Sequence, residues 1–208
     1  MSFPKPANEA KRLNVLWQYG ILDTVPEAMF DDLAELASAI CGAPIALISL
    51  VDKSRQWFKS KIGLSARETS RDTSMCAHAI CQSGLFIVPD ASRDSRFKNN
   101  PLVKGRAHVR FYAGAPLVTP DGYALGTICV LDKVPRGLSA EQQHALELLA
   151  RIVMAQLELR RQSLEHAGQT SARAWSAVTI QQAARKRSKS VGKTKAVRQP
   201  VKRNTRSK

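Results

Sequence analysis

Long apolar runs and cysteine pairs are both missing from this 208-residue sequence. There is no stretch of about 18 consecutive apolar residues, so we expect no membrane-spanning helix. The polar start MSFPKPANEAKR lacks the apolar core of a secretion signal. The four cysteines form no CxxC pair and no framework spacing, which favours free thiols in a reducing compartment. These absences predict a cytoplasmic protein.

Recognisable catalytic and metal-binding motifs are missing too. The sequence contains no Gly-rich phosphate loop, no HExxH and no GxSxG, so we assign no catalytic residue and expect a protein that is not an enzyme. Cys76 and His78 are two residues apart, which places them roughly 200° apart around a helix. No further Cys or His nearby completes a set of four ligands, so no metal site is predicted. The sequence leaves any cofactor unidentified.

Acidic residues are absent from the last part of the chain. Residues 167–208 hold twelve of the 32 Lys+Arg and none of the 17 Asp+Glu, so most of the +15 charge lies there. Low apolar content predicts that this tail is disordered. Its basic run, which includes Arg185, Lys186, Arg187 and Lys189, predicts binding to nucleic acid or to an anionic surface. The alternatives are a partial IQ-like calmodulin motif at 177–187 and an idle, solubilising extension.

Hydrophobic periodicity predicts an α+β fold. It indicates helices at 8–19, after Pro26 and around 75–81, and strands at 44–51, 56–62 and 85–88. A long connection at 91–106 has the length of a functional loop or lid. Residues 44–51 are apolar on both faces, which is typical of a buried central strand. This order predicts an antiparallel sheet with helices packed around it.

A two-stranded hairpin is predicted at 107–132. The first arm alternates, with one face formed by Val109, Phe111, Ala113, Ala115 and Leu117 and the other by His108, Arg110, Tyr112 and Gly114. Residues 119–122, Thr-Pro-Asp-Gly, have the composition of a turn. The second arm, 124–131, is apolar at nearly every position and therefore belongs in the middle of the sheet.

A long helix is predicted from Ser139 onward, where Ser139 and Gln142 form a capping box. Its apolar residues form two neighbouring rows. One row consists of Leu146, Leu149, Val153 and Leu157, and the other of Ala145, Leu148, Ile152, Ala155 and Leu159. A single contact with the sheet hides one row, so we expect the other to pair with a second copy in a homodimer.

The segment APLVTPDGYALGTICVLD at 115–132 resembles the central hairpin of a GAF domain, a sensory module of signalling proteins. The segments APIALISLVD, RQWFKSKIGL, CAHAI, IVPDASRDSRF and LELLARIVMAQLELR extend the resemblance over roughly residues 26–161. With the periodicity and the charge distribution, it predicts an N-terminal helix and lead-in at 1–25, a GAF domain with its C-terminal helix at 26–166, and the basic tail at 167–208. It also implies a central antiparallel sheet flanked by helices on both faces, and a small-molecule pocket between the sheet and the 63–106 region.

Six residues are candidates for contacting a ligand: Cys76, His78, Phe97, Arg110, Tyr112 and Cys129. Arg110 and Tyr112 share the polar face of the first hairpin arm, although Arg110 has the alternative of pairing with Asp90, Asp94 or Asp132. Phe97 is interpreted either as a lid side chain or as the anchor of its loop. A buried structural role is the alternative for Cys76.

The sequence therefore predicts a non-enzymatic sensor that binds a small effector and signals through its terminal helices to a separate output protein. A thiol-based redox enzyme or redox sensor using Cys76 is the first alternative. It follows the resemblance to free methionine sulfoxide reductases, whose acidic residues on the final strand correspond here to Cys129 and Leu131. A nucleic-acid-associated protein acting through the basic tail is the second alternative.

Overall fold

The computed structural model describes residues 4–194, and their side chains as far as residue 167. Its helices are α1 (Glu9–Gln18), α2 (Ala28–Cys41), α3 (Cys76–Ala79), α4 (Pro101–Lys104) and α5 (Ala140–Thr194). Its strands are β1 (Ile45–Val51), β2 (Arg55–Ile62), β3 (Glu68–Ser70), β4 (Phe86–Val88), β5 (Phe111–Val118) and β6 (Ala124–Asp132). The chain divides into two units, Met1–Arg161 and Gln162–Lys208. The site described below lies in the first unit.

The six strands form one antiparallel sheet in the order β3-β2-β1-β6-β5-β4. β1 and β6 occupy its centre, which confirms the positions predicted from their apolar composition. Side chains on both faces of these two strands are buried. An apolar strand is stable in that place because elements cover the sheet on both sides. The predicted α+β class is therefore confirmed.

The hairpin between β5 and β6 turns where the sequence predicts. The amide of Thr119 donates to the carbonyl of Tyr123 at 3.0 Å, and the amide of Gly122 donates to that of Thr119 at 2.9 Å. Gly122 has a φ of +83°, which a residue without a Cβ adopts at little cost. The turn and a register shift between Leu117 and Val118 set the pairing of the two arms, in which Tyr112 lies opposite Leu131 and Gly114 lies opposite Cys129.

Two apolar clusters lie on opposite faces of the sheet. The first is formed with α1, α2 and α5 and includes Phe111, Ala113, Ala115 and Leu117, as the alternation of β5 predicts. The prediction for Val109 is wrong, because its side chain belongs to the second cluster, together with Tyr112. His108 has a φ of 50°, and regular strand geometry begins only at Phe111. The alternation is therefore broken before it reaches Val109.

Helix α2 covers the first face with Phe30, Leu33, Ala34 and Ala37. Leu36 and Ile40 are 49% and 42% exposed. At about 100° per residue, both lie to one side of the buried face. Gly42 ends the helix in the left-handed conformation, with a φ of 58°.

Helix α5 begins with the predicted capping box. The amide of Ser139 donates to Gln142 Oε1 at 3.0 Å, and the amide of Gln142 donates to Ser139 Oγ at 3.3 Å. The row facing the sheet is buried and consists of Leu146, Leu149, Val153 and Leu157. The second row is largely exposed, with Leu148, Ile152 and Leu159 at 40%, 44% and 56%. Its partner stays a prediction.

The backbone of α5 continues to Thr194. A disordered tail was expected from residue 167, so the structure differs over 167–194. The Ala, Gln, Lys and Arg residues of this segment have high helix propensity, and they extend a helix that has already begun. Residues 195–208 lie outside the described part of the chain. Within the described part, none of the helices combines the length and apolar character needed to cross a membrane.

Candidate functional site

The second face of the sheet is covered by α3 and the 63–106 region. This region contains β3 and a 3₁₀ turn at Arg71–Thr73. At the start of α3, the Oγ of Ser74 accepts a hydrogen bond from the amide of Ala77 at 3.0 Å. Ser74 Oγ also donates to Gln56 Oε1 of β2. These bonds hold the start of α3 against the sheet.

A cavity of about 160 Å³ lies between this cover and the sheet. Its walls come from β1, β2, β5 and β6, from the start of α3 and from the loop before β5. Three of the predicted ligand-contacting residues, Cys76, Tyr112 and Cys129, line it. The rest of the lining is mainly apolar, including Leu47 and Val109, with polar groups from Gln56, Thr69 and Lys133. Concave, mostly apolar sites with a few converging polar groups are typical of small-molecule binding.

Five buried side chains at this face form a thiol–hydroxyl cluster: Ser49, Cys76, Tyr112, Thr127 and Cys129. The Tyr112 hydroxyl donates to Cys76 Sγ at 3.2 Å, and the sulfurs of Cys76 and Cys129 are 3.7 Å apart. Ser49 and Thr127 are cross-strand neighbours whose hydroxyls are 3.2 Å apart. The cluster thus joins β1, α3, β5 and β6 through hydrogen-bonding groups that carry no formal charge.

Gly114 makes the position of Tyr112 possible. A Cβ added at Gly114 would lie 2.7 Å from Cζ of the Tyr112 ring, and closer still to its hydroxyl. The ring therefore lies over the backbone of Gly114, and this directs the hydroxyl toward Cys76. The Phe86 ring, at 5.9 Å between centroids, supports the ring of Tyr112 from β4.

The environment separates the pKa values of the two thiols. Burial opposes ionisation of Cys76, but hydrogen bonds from Cys129, Ser49, Thr127 and Tyr112 outweigh burial and lower its pKa. Burial, together with the adjacent Cys76, raises the pKa of Cys129 well above its ordinary value. The two thiols therefore titrate as a coupled pair, in which ionisation of Cys76 opposes ionisation of Cys129.

Arg110 lies outside the cavity lining. Its guanidinium donates to the carbonyls of Val103 at 2.8 Å and Val109 at 3.1 Å, and one nitrogen contacts His108 Nδ1 at 3.0 Å. The carboxylates considered as its partners bind other groups: Asp90 binds Ser92, Asp94 binds Arg96, and Asp132 binds Arg136. Arg110 thus stabilises the loop before β5 through backbone carbonyls.

His78 and Phe97 also lie apart from the cavity lining. Their rings make an edge contact at 4.7 Å, and Phe97 is 6.2 Å from Phe86. Phe97 is 1% exposed and therefore anchors its loop, which was one of its two predicted roles. Burial and the nearby charge of Arg96 lower the pKa of His78, which favours the neutral imidazole.

Ser49 and Thr127 are members of the cluster that the sequence reasoning missed. Each is a hydroxyl residue inside an otherwise apolar central strand, in IALISLV and ALGTICVLD. A buried hydroxyl requires a hydrogen-bond partner, so an isolated Ser or Thr in such a run is a usable signal.

The predicted polyanion-binding residues are Arg185, Lys186, Arg187 and Lys189. They lie in the part of α5 whose side chains the structure does not describe, so their role stays a prediction.

A second buried polar group, on the N-terminal side, has an evident structural role. Glu9 binds Arg12 at 2.8 Å and Arg71 at 2.5 Å, and both guanidinium groups are almost fully buried. Arg12 also donates to the carbonyl of Val51 at 2.7 Å. These bonds attach α1 to the sheet and to the 3₁₀ turn before α3. Among the described residues, no group of three or more His, Cys, Asp or Glu side chains is placed to hold a metal ion.

Comparison with known families agrees with this geometry. The family model described as "GAF domain" matches residues 25–159. A cyclic di-GMP phosphodiesterase of Pseudomonas aeruginosa is 45% identical over 159 residues, which is 76% of this chain and 27% of that protein. The chain thus spans about a quarter of the length of this relative.

Solved structures of low sequence identity have the same fold. The free methionine-R-sulfoxide reductase of Neisseria meningitidis superposes with a TM-score of 0.54 at 17% identity, covering 78% of this chain and 98% of that one. The GAF domain of the Acinetobacter phosphoenolpyruvate-protein phosphotransferase gives a TM-score of 0.51 at 18% identity, covering 76% and 98%. At these identities the likeness concerns the fold.

Proposed function

The chain belongs to the GAF domain family, and from this premise we propose that it is a non-enzymatic sensor whose effector binds in the cavity beneath α3. The observation that carries the proposal is the convergence of Cys76, Tyr112 and Cys129 on a cavity that is otherwise mainly apolar. A phenol and two thiols supply orientation, and the apolar walls supply affinity. The resemblance to GAF domains implies a pocket in the same place, between the sheet and the 63–106 region.

The size of the cavity limits the effector. Its volume is about 160 Å³. Drug-sized ligands occupy pockets of roughly 300–1,000 Å³, so a cyclic dinucleotide is too large for this space. We therefore expect a small, mainly apolar molecule with one or two polar atoms that reach the thiol–hydroxyl cluster.

Contacts within the first unit offer a route from the cavity to α5. Phe58 of β2 lines the cavity, and the next residue, Lys59, binds Glu27 at 2.7 Å. Glu27 also binds Arg160 of α5 at 3.1 Å. A displacement of β2 by an effector would therefore reach α5 at Arg160 through one shared carboxylate. This supports signalling through the terminal helices to a separate output protein.

The output we propose is control of cyclic di-GMP turnover by such a partner. The match to one quarter of a cyclic di-GMP phosphodiesterase supports this direction. As a sensor, the chain alone should neither hydrolyse cyclic di-GMP nor reduce free methionine sulfoxide in the presence of a thiol reductant. Turnover of either compound that survives Cys76→Ser would contradict the non-enzymatic assignment, and turnover of the sulfoxide that Cys76→Ser abolishes would favour the redox enzyme.

Thermal unfolding with the compounds that copurify with the protein tests effector binding. We expect the small-molecule extract of heat-denatured protein to raise the midpoint of the wild type, because a ligand that binds only the folded state stabilises it. Tyr112→Phe should reduce this shift by removing a hydroxyl that lines the cavity. Arg110→Ala is the matched control, since its side chain binds loop carbonyls outside the lining. An equal shift in wild type and Tyr112→Phe, with a loss in Arg110→Ala, would place the effector elsewhere.

A further inference from the structure

Two thiols from separate elements meet in the thiol–hydroxyl cluster. Cys76 begins α3 and Cys129 lies in the middle of β6, 53 residues later, yet their sulfurs are 3.7 Å apart. We propose that Cys76 and Cys129 form a reversible disulfide when the protein is exposed to a peroxide. The proposal concerns a modification of the protein itself and goes beyond the binding of an effector.

The geometry allows the bond with a small local movement. A disulfide has an S–S length of about 2.05 Å, so the sulfurs must approach each other by less than about 2 Å. Cys129 is held between β1 and β5, where it pairs with Leu47 and Gly114. Cys76 belongs to a helix of a single turn, Cys76–Ala79. The movement therefore falls on α3, which covers the cavity.

The reaction proceeds in two balanced steps. The Cys76 thiolate attacks one peroxide oxygen, the O–O bond breaks, and the other oxygen leaves as water or an alcohol with the proton that Cys76 has released. The Cys129 sulfur then attacks the sulfur of the Cys76 sulfenic acid, the S–O bond breaks, and water leaves with the Cys129 proton. Together the thiols lose two electrons and two protons, and the peroxide is the oxidant that accepts them.

The surroundings assign different roles to the two cysteines. Tyr112, whose hydroxyl is 3.2 Å from Cys76 Sγ, stabilises the thiolate that attacks. Cys129 is suited to the second, resolving step because its sulfur is 3.7 Å from that of Cys76, and it gives up its proton as it attacks. The cavity that both residues line has room for a small peroxide next to the sulfurs. Cys41 and Cys81 are natural comparisons, because burial raises the pKa of each of these thiols.

Peptide mass spectrometry of the full chain tests the proposal. Reduced protein is treated with hydrogen peroxide, denatured in an alkylating reagent and digested. We expect a linked peptide pair that contains Cys76 and Cys129, lighter by two hydrogen atoms, whereas Cys41 and Cys81 are alkylated. Dithiothreitol should restore alkylation of both members of the pair. Cys81→Ser is the matched control and should form the same linked pair, whereas Cys129→Ser should leave Cys76 as a sulfenic acid that dimedone labels.

A kinetic comparison separates a reactive site from two thiols that are merely close. Tyr112→Phe should slow formation of the linked pair about tenfold and move the pH midpoint of Cys76 oxidation upward, since a hydrogen bond to a charged group is lost. A Cys76–Cys81 link, or oxidation of Cys81 while Cys76 and Cys129 stay alkylatable, would overturn the proposal. So would unchanged rate and pH midpoint in Tyr112→Phe. A failure of effector binding would leave this result untouched, because the assay contains no effector.

Discussion

The position of the Tyr112 ring can be tested through the residue beneath it. Gly114→Ala places a methyl group where the ring now lies, 2.7 Å from Cζ. The ring is 1% exposed and is supported by Phe86, so it can give way only toward the cavity that it lines. The substitution must therefore displace Tyr112 and break the hydrogen bond from its hydroxyl to Cys76.

The expected cost follows from three contributions. Overpacking of a tight core costs about 1–3 kcal/mol, and a lost buried hydrogen bond costs about 1 kcal/mol. Replacing a strand glycine by alanine returns about 0.5–1 kcal/mol. We expect Gly114→Ala to lower the free energy of unfolding by about 1–3 kcal/mol and to raise the pKa of Cys76, because one of its hydrogen-bond donors is displaced.

A double-mutant cycle measured by urea unfolding isolates the contact. Gly114→Ala is compared in the wild type and in Tyr112→Leu, whose shorter side chain leaves space for the new methyl group. The cost should fall by at least about 1 kcal/mol in the second background, since neighbouring residues are not additive. A neutral Gly114→Ala, or the same cost in both backgrounds, would refute the described packing of Tyr112.

Three further predictions concern other parts of the chain. Burial opposes ionisation of Glu9, but Arg12 and Arg71 outweigh burial and lower the pKa of Glu9 from 4.5 to about 2. The contribution of Glu9 to the free energy of unfolding is therefore present above about pH 4.5 and is lost as the pH falls toward 2. Glu9→Gln should therefore cost on the order of 2 kcal/mol in urea unfolding at neutral pH and little near pH 2, and a cost independent of pH would contradict this. Ile152→Asp should convert a dimer to a monomer in sedimentation velocity at tens of micromolar while the circular dichroism spectrum stays that of the folded domain, and a wild type that is already monomeric would sink the dimer. Truncation after residue 166 should abolish salt-dependent retention on a DNA column, and equal retention of both proteins would exclude polyanion binding by the tail.

The choice of Ile152 for the dimer test depends on the structure. From the sequence alone, Leu157 is an obvious position for a disruptive charge, because it belongs to one of two apolar rows. The structure buries Leu157 against the sheet, where Asp would unfold the domain, and exposes Ile152. Periodicity predicts that two rows exist, but it does not say which of them meets the sheet.

The central strands and the hairpin were predictable because their signals are local. β1 and β6 are apolar on both faces, and the Pro-Asp-Gly turn requires a reversal. The face of Val109 was not predictable, because it depends on the left-handed backbone of His108, a conformation uncommon for a residue other than glycine. The placement of Arg110 has the same origin, since it lies between that residue and the start of regular strand geometry.

The thiol pair depends on tertiary packing. Cys129 and Tyr112 face the cavity because of strand register, which the hairpin turn sets. Cys76 reaches them because the bonds of Ser74 to Gln56 and to the amide of Ala77 hold the start of α3 against β2. A contact between residues 53 positions apart leaves no periodic signal. Ser49 and Thr127 were accessible to reasoning, since a single hydroxyl in a buried apolar strand needs a partner.

Native mass spectrometry with a cavity-filling variant tests the central claim, that an effector binds beneath α3, most directly. Ala107 lines the cavity from the loop before β5, and Ala107→Phe adds a ring there. Lys98→Phe adds the same ring at an exposed position just before α4 and serves as the control. We predict that wild type and Lys98→Phe carry the same bound small molecule, whereas Ala107→Phe is folded and carries none. Retention of that molecule by Ala107→Phe, or its loss from both variants alike, would contradict the account.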